Sequence, residues 1–148
     1  MRLRDTLPSD ALVEHLRQKL DPVDAPVRDP VRGDGDLNGV RRSGAAVLRP
    51  AAVLAPLILH DGPPRLLLTE RAAHLAKHAG QISFPGGGVD PGGETPAEAA
   101  VRELYEEVGI AAEHVELLGS FDGYETVTGF LVTPFVGVIH PGYRLCPD

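Results

Sequence analysis

Gly88-Val89-Asp90-Pro91-Gly92-Gly93-Glu94-Thr95-Pro96-Ala97-Glu98-Ala99-Ala100-Val101-Arg102-Glu103-Leu104-Tyr105-Glu106-Glu107-Val108-Gly109-Ile110 is the stretch that decides the reading. Its second half predicts one helix. Thr95 can cap it, Pro96 suits the first helical position, and Glu98 completes a T-x-x-E capping box. The helix is expected to run to Val108, with Gly109 in the left-handed position that follows a helix. Ala97, Ala100, Val101, Leu104 and Val108 share one apolar face. On the polar side, Glu103 and Glu107 are four apart, and Glu106 is three from Glu103, so three carboxylates occupy adjoining surface. They repel one another, and acids near a helix C-terminus oppose the macrodipole. One reading is a solvated acidic face with Arg102 paired to Glu98 or Glu106. The other is a cation site, for which hard oxygen ligands suit Mg²⁺ or Mn²⁺.

Working outward, Ile82-Ser83-Phe84 predicts a short strand that runs into Pro85-Gly86-Gly87-Gly88, and turn residues continue to Gly93. Further upstream, Ala45 to Leu48, Ala51 to Leu59 and Leu66 to Thr69 read as buried strands, with Asp61-Gly62-Pro63-Pro64 as the turn between the last two. Downstream, Val115 to Phe121 and Phe130 to Ile139 read as strands. Strands on both sides of one central helix point to an α/β fold with a mixed sheet, not a regularly alternating one. Near the N-terminus, Ser9 resembles a cap, and Leu12, Val13, Leu16 and Leu20 recur at helical spacing, predicting a helix over 10–20. Residues 21–43 are rich in Asp, Pro, Arg and Gly and read as an irregular arm. The expected organisation is therefore an N-terminal helix and arm over 1–44 and a folded domain over 45–148.

At 148 residues, with 43% hydrophobic and 24% charged residues, the chain has the size and composition of one globular domain. Its net charge of −7 argues against a nonspecific nucleic-acid or anionic-membrane binder. The longest apolar run, Ala51 to Leu59, contains Pro56 and is too short to span a bilayer. The N-terminus lacks the apolar stretch of a signal peptide. Together with a single cysteine, Cys146, this sets a cytoplasmic expectation.

Loop and helix together spell a longer pattern: Gly88, five residues, Glu94, seven residues, then Arg102-Glu103-Leu104-x-Glu106-Glu107-x-Gly109-Ile110. This resembles the Nudix box, G-x5-E-x7-R-E-U-x-E-E-x-G-U, at every defined position. At about 7% usage per residue type, chance agreement is on the order of 10⁻⁹. The resemblance implies an α/β/α sandwich around a mixed β-sheet. It also implies a divalent-metal-dependent hydrolase that cuts a nucleoside diphosphate linked to another group. Glu103 and Glu107 would be the main metal ligands, Glu106 a third, Arg102 the residue that orients them, and Glu94 a supporting acid. Mg²⁺ or Mn²⁺ would neutralise the diphosphate and lower the pKa of a bound water.

Leu67-Leu68-Thr69-Glu70-Arg71-Ala72, followed by Gly80-Gln81-Ile82-Ser83-Phe84-Pro85-Gly86-Gly87, resembles the L-L-T-x-R-[SA]-x3-R-x3-G-x3-F-P-G-G motif of coenzyme A pyrophosphatases in the same family. One position departs: the second arginine is Ala76, with Lys77 next to it. The resemblance implies coenzyme A or a derivative as substrate, cut to 3′,5′-ADP and 4′-phosphopantetheine. Arg71, Lys77, Phe84, Gly86, Gly87 and Gly88 would contact it. A Nudix hydrolase for another nucleoside diphosphate, such as ADP-ribose, is the first alternative, and a non-catalytic binding module of the same fold is the second.

Other residues carry weaker expectations. His74 and His78 are four apart, without further zinc ligands. Glu70 and Glu125 are candidate bases, Tyr105 is expected to pack on the helix flank, and Cys146 to be inert. The sequence stops at Pro147-Asp148, where the resembled fold usually continues with a further strand and a helix. The domain is therefore expected to be shortened or to lack its C-terminal end.

Overall fold

The computed structural model describes residues 9–27, 30, 32–39, 47–71 and 80–147. In chain order the elements are α1 (Ser9–Lys19), β1 (Arg32–Gly33), α2 (Asp34–Asn38), β2 (Arg49–Ile58), β3 (Arg65–Leu66), β4 (Thr69–Glu70), β5 (Ile82–Ser83), β6 (Gly86–Gly88), α3 (Pro96–Val108), a 3₁₀ turn (Ala112–His114), β7 (Val115–Ser120), β8 (Tyr124–Glu125) and β9 (Phe130–Ile139). The centre of the sheet is the parallel pair β2–β9, in unbroken register from Arg49 opposite Phe130 to Ile58 opposite Ile139. Antiparallel neighbours flank it. β6 and β3 lie outside β2, while β7 and β8 lie outside β9. Pro56 falls in the gap between the β6 pairing at Ala51–Val53 and the β3 pairing at Leu57–Ile58. A residue without an N–H is tolerated where the ladder is interrupted.

Alternation along the two central strands builds two cores. Ala52, Leu54, Ile58, Phe135 and Ile139 pack with Ala100, Leu104 and Val108 of α3. Val136 and Val138 face the other way, with Leu20 and Leu118, and Val13 and Leu16 of α1 close over them. The result is an α/β/α sandwich around a mixed sheet. Leu54 and Leu104 are fully buried, so truncating either to Ala is expected to cost about 2–5 kcal/mol. Among the described residues no helix is long and apolar enough to cross a membrane.

Three local expectations are corrected. The separate strand expected over Ala45 to Leu48 is not found: Val47 and Leu48 lie outside any strand, residues 45–46 lie outside the described residues, and the strand expected over Ala51 to Leu59 is β2, Arg49–Ile58. Leu66 to Thr69 is not a buried strand. It divides into β3 and β4, and Leu66 and Leu68 are half exposed, because this apolar run lies at the sheet margin. Within the stretch read as irregular, β1 pairs parallel with β8, and Asp34 of α2 accepts hydrogen bonds from Tyr124 Oη (2.8 Å) and the Val127 N–H (2.6 Å). Those bonds hold the Asp34 carboxyl below its ordinary pKa, the backbone N–H of Val127 contributing most.

Candidate active site

α3 forms as its local sequence predicts. Thr95 Oγ1 accepts from the Glu98 N–H, Glu98 accepts from the Thr95 N–H, and Gly109, at φ 78°, closes the C-terminus through its N–H to Tyr105 O. The apolar face docks on β2, which aims the polar face at β6. Here the glycines are required by close approach. A Cβ on Gly87 would lie 2.3 Å from Glu103 Oε1, and one on Gly86 would lie 2.4 Å from Ala52 O. The Gly86 N–H donates to Glu107 Oε1 at 3.3 Å.

Arg102 clamps the loop to the helix. Its Nε donates to Glu94 Oε1 at 2.7 Å, and its Nη2 donates to Glu94 Oε2 at 3.1 Å and to Gly88 O at 2.9 Å. Its Nη1 donates to Glu103 Oε1 at 2.9 Å and to both Glu106 oxygens at 3.2 Å. A planar guanidinium can serve all these acceptors at once, which an ammonium cannot. Glu94 also accepts from the Asp90 N–H at 2.6 Å, which shapes the loop between Gly88 and the helix. Each side shifts the other's titration. Glu94 and the neighbouring carboxylates hold the Arg102 pKa above its ordinary range, and Arg102 holds that of Glu94 low.

Glu103, Glu106 and Glu107 open onto a cleft of about 710 Å³. Its other lining comprises Thr69, Glu70, Arg71, Gln81 and Ser83 of the β4–β5 hairpin, with Leu67, Leu68, Gly86, Val108, Leu145 and Pro147. The Glu107 carboxyl titrates above its ordinary range. Burial is the main cause and the charge of Glu103 adds to it, while the Gly86 N–H, Thr69 and Arg71 oppose it. Among the described residues no three acidic or imidazole side chains converge on one point. Mg²⁺, however, is commonly held by one or two carboxylates, with water and substrate oxygens completing the shell. A partly desolvated Glu107 repelled by Glu103 is a donor set of the right chemistry for such an ion.

The structure thus brings Arg71, Gly86, Glu103, Glu106 and Glu107 to one cleft. Arg102, Glu94 and Gly88 stand behind them as the clamp, and Gly87 lies against Glu103. Phe84 is partly exposed and does not line the cleft. Lys77, Ala76, His74 and His78 lie outside the described residues. Glu70 lines the cleft, whereas Glu125, on β8 and paired with Leu131 of β9, does not. Tyr105, expected to pack, is 58% exposed. Arg102 makes no pair with Glu98, which is engaged in the capping box. Thr69, Gln81, Ser83, Leu145 and Pro147 line the cleft without having been anticipated. The first three lay inside the upstream motif. The last two arrive because the Cys146 N–H bonds Val108 O at 2.8 Å and folds the tail onto the end of α3.

Fold and site together define a mixed-sheet α/β/α domain in which a glycine loop and an acidic helix present carboxylates to a cleft. The NUDIX domain model matches residues 48–144, and the chain belongs to the Nudix family. It is similar to the protein described as uncharacterized Nudix hydrolase NudL from Enterobacter sp. (strain 638), with 52% identity over 93 residues, 63% of this chain and 48% of the relative. Its counterpart from Pectobacterium atrosepticum is 49% identical over 100 residues, 68% of this chain and 52% of the relative. The chain spans about half the length of the curated relatives it matches. Among solved structures it resembles an Ap4A hydrolase of C. elegans in a binary complex (TM-score 0.56, 24% identity, 66% of this chain and 71% of that one). It also resembles the Nudix hydrolase RenU of M. smegmatis (TM-score 0.54, 24% identity, 68% and 66%).

Proposed function

We propose that the chain is a divalent-metal-dependent pyrophosphohydrolase that cuts the diphosphate of coenzyme A or a derivative to 3′,5′-ADP and 4′-phosphopantetheine. The carrying observation is that Arg71 and the carboxylates of α3 line one cleft, although they come from separate parts of the sequence. Arg71 stands in a stretch that resembles the coenzyme A motif, and its planar fork suits a phosphate. The motif's Phe84, Gly86, Gly87 and Gly88 are contiguous with β6, and Lys77 is retained as a candidate contact.

Glu103 and Glu107, with Glu106 beside them, would hold Mg²⁺ or Mn²⁺. When bound, the ion supplies charge neutralisation at the diphosphate and a lowered pKa for water. Arg102 keeps Glu103 and Glu106 oriented, and Glu94 keeps Arg102 in place. In the reaction a water oxygen forms a bond to one phosphorus and the bridging P–O bond breaks. The departing phosphate takes the electron pair, and the water proton passes to a cleft base, for which Glu70, which lines the cleft, is the candidate. Gly86 and Gly87 leave the loop backbone free of side chains where a diphosphate would approach.

Ala76, in place of the motif's second arginine, favours a second reading: hydrolysis of another nucleoside diphosphate derivative such as ADP-ribose. A cytoplasmic setting accompanies either. Incubation with Mg²⁺ and a panel of diphosphates, with products identified by mass spectrometry, separates them. Release of 3′,5′-ADP from coenzyme A supports the first, and faster cleavage of ADP-ribose than of coenzyme A overturns it.

A further inference from the structure

Leaving α1, the chain rounds the β7 edge of the sheet. Asp21 and Ser120 exchange both backbone hydrogen bonds, at 3.0 and 2.9 Å. Val23 then joins the core beneath α3. At this corner a cavity of about 20 Å³ is lined by Asp21, Ala25, Pro26, Ser120, Asp122 and Thr133 among others. Among the described residues only two polar residues are buried, Ser120 and Thr133, and both line it. Thr133 is 7% exposed, and its Oγ1 is buried with no hydrogen-bond partner among the described residues.

A buried hydroxyl without a partner is costly, and valine has the same shape on a β-strand. Thr133 lies at the centre of β9, opposite Ala52, with Val132 and Phe135 nearby in sequence. Apolar packing alone gives no reason for an oxygen there. The cavity has about the volume that one water needs, roughly 10–15 Å³ or more, and its walls carry the oxygens that such a water requires. We propose that this corner is a specific hydration site. One ordered water accepts from or donates to Thr133 Oγ1 and bonds the oxygens of the Asp21–Ser120 wall. It fastens the connection that leaves α1 to the middle of the sheet.

The test compares Thr133→Val with Thr133→Ser and wild type. Long-lived water is detected by NMR cross-relaxation to the backbone amides of Ser120 and Thr133. The expected result is a cross-peak in wild type and Thr133→Ser that is absent in Thr133→Val, with a Tm for Thr133→Val about 2–4 °C below wild type. A dry cavity predicts the opposite sign, because removing an unpaired hydroxyl stabilises. A Thr133→Val Tm at or above wild type, or no long-lived water in wild type, overturns the proposal. If Thr133→Val does not fold, the wild-type cross-peak and a crystal structure at high resolution decide it.

Discussion

Gly87 and Glu103 are in contact so close that a single methyl group on Gly87 would stand 2.3 Å from the Glu103 carboxylate oxygen. The atom it would meet is the far end of a flexible side chain, so Gly87→Ala is expected to fold and to swing Glu103 away. Turnover should fall at least tenfold, with Tm within a few degrees of wild type. Gly86→Ala meets the backbone oxygen of Ala52 instead, at 2.4 Å, and should lose stability first. Parallel thermal melts and kcat measurements check the contrast; equal loss of stability in both would contradict it.

Glu103→Gln and Glu107→Gln should each reduce kcat by orders of magnitude at saturating Mg²⁺, because each removes an ionised oxygen donor. The metal-free fold should survive. For Glu107→Gln, Tm at neutral pH should equal or exceed that of wild type, since burial and Glu103 disfavour the charge there. Titration calorimetry with Mn²⁺ alongside melting curves reads both effects. Near wild-type turnover in either variant would remove it from the metal site.

Arg102→Lys retains the charge but loses the fork that reaches Glu94, Gly88, Glu103 and Glu106 together. Hydrogen exchange over residues 88–94 is expected to accelerate, and apparent Mn²⁺ affinity to weaken by about tenfold or more. Unchanged exchange in that loop would mean that the loop does not depend on the clamp.

Arg71→Ala tests the substrate. If Arg71 reads the 3′-phosphate, kcat/KM for coenzyme A should fall about 10- to 150-fold, while dephospho-coenzyme A is nearly unaffected. Equal losses on both substrates would move Arg71 to the shared diphosphate.

Asp34 gives a pH signature remote from the cleft. Its pKa is lowered from 3.8 in the fold, so its contribution is present above the unfolded value and lost as pH falls through the folded one. Asp34→Asn should therefore melt below wild type at neutral pH, with the gap closing in acid. A gap independent of pH would point to packing, not to the carboxylate.

How much was legible in the sequence divides along physical lines. α3 could be bounded to the residue because its signals are local: Thr95, Pro96, Glu98 and Gly109 act within one turn of the ends. β9 was legible as a long apolar run, and so was β2 apart from its first residues. Leu66 to Leu68 looked the same as those runs, but burial is decided by neighbours far along the chain, and this segment has them on too few sides. In the site, the carboxylates declared themselves by spacing and by opposing the helix dipole. Leu145 and Pro147 did not, because they depend on one backbone bond from Cys146 to Val108. The role of Arg102 was legible as charge, but its partner Glu94 only through the resemblance, since eight residues of loop and helix separate them.

The parallel pairing of β2 with β9 also bears on how the chain is made. Everything from Leu59 to Gly129, α3 included, lies between the two strands that form the sheet's centre. As the chain leaves the ribosome, β2 and the acidic helix emerge first and must wait for β9 before the core beneath Leu104 and Val108 can close. Closing so long a loop is entropically expensive and slow. β3 and β6, made earlier, can pair one edge of β2, but its other edge has no partner until β9 is made. The long crossover thus ties closure of the core beneath α3 to the arrival of the last long strand.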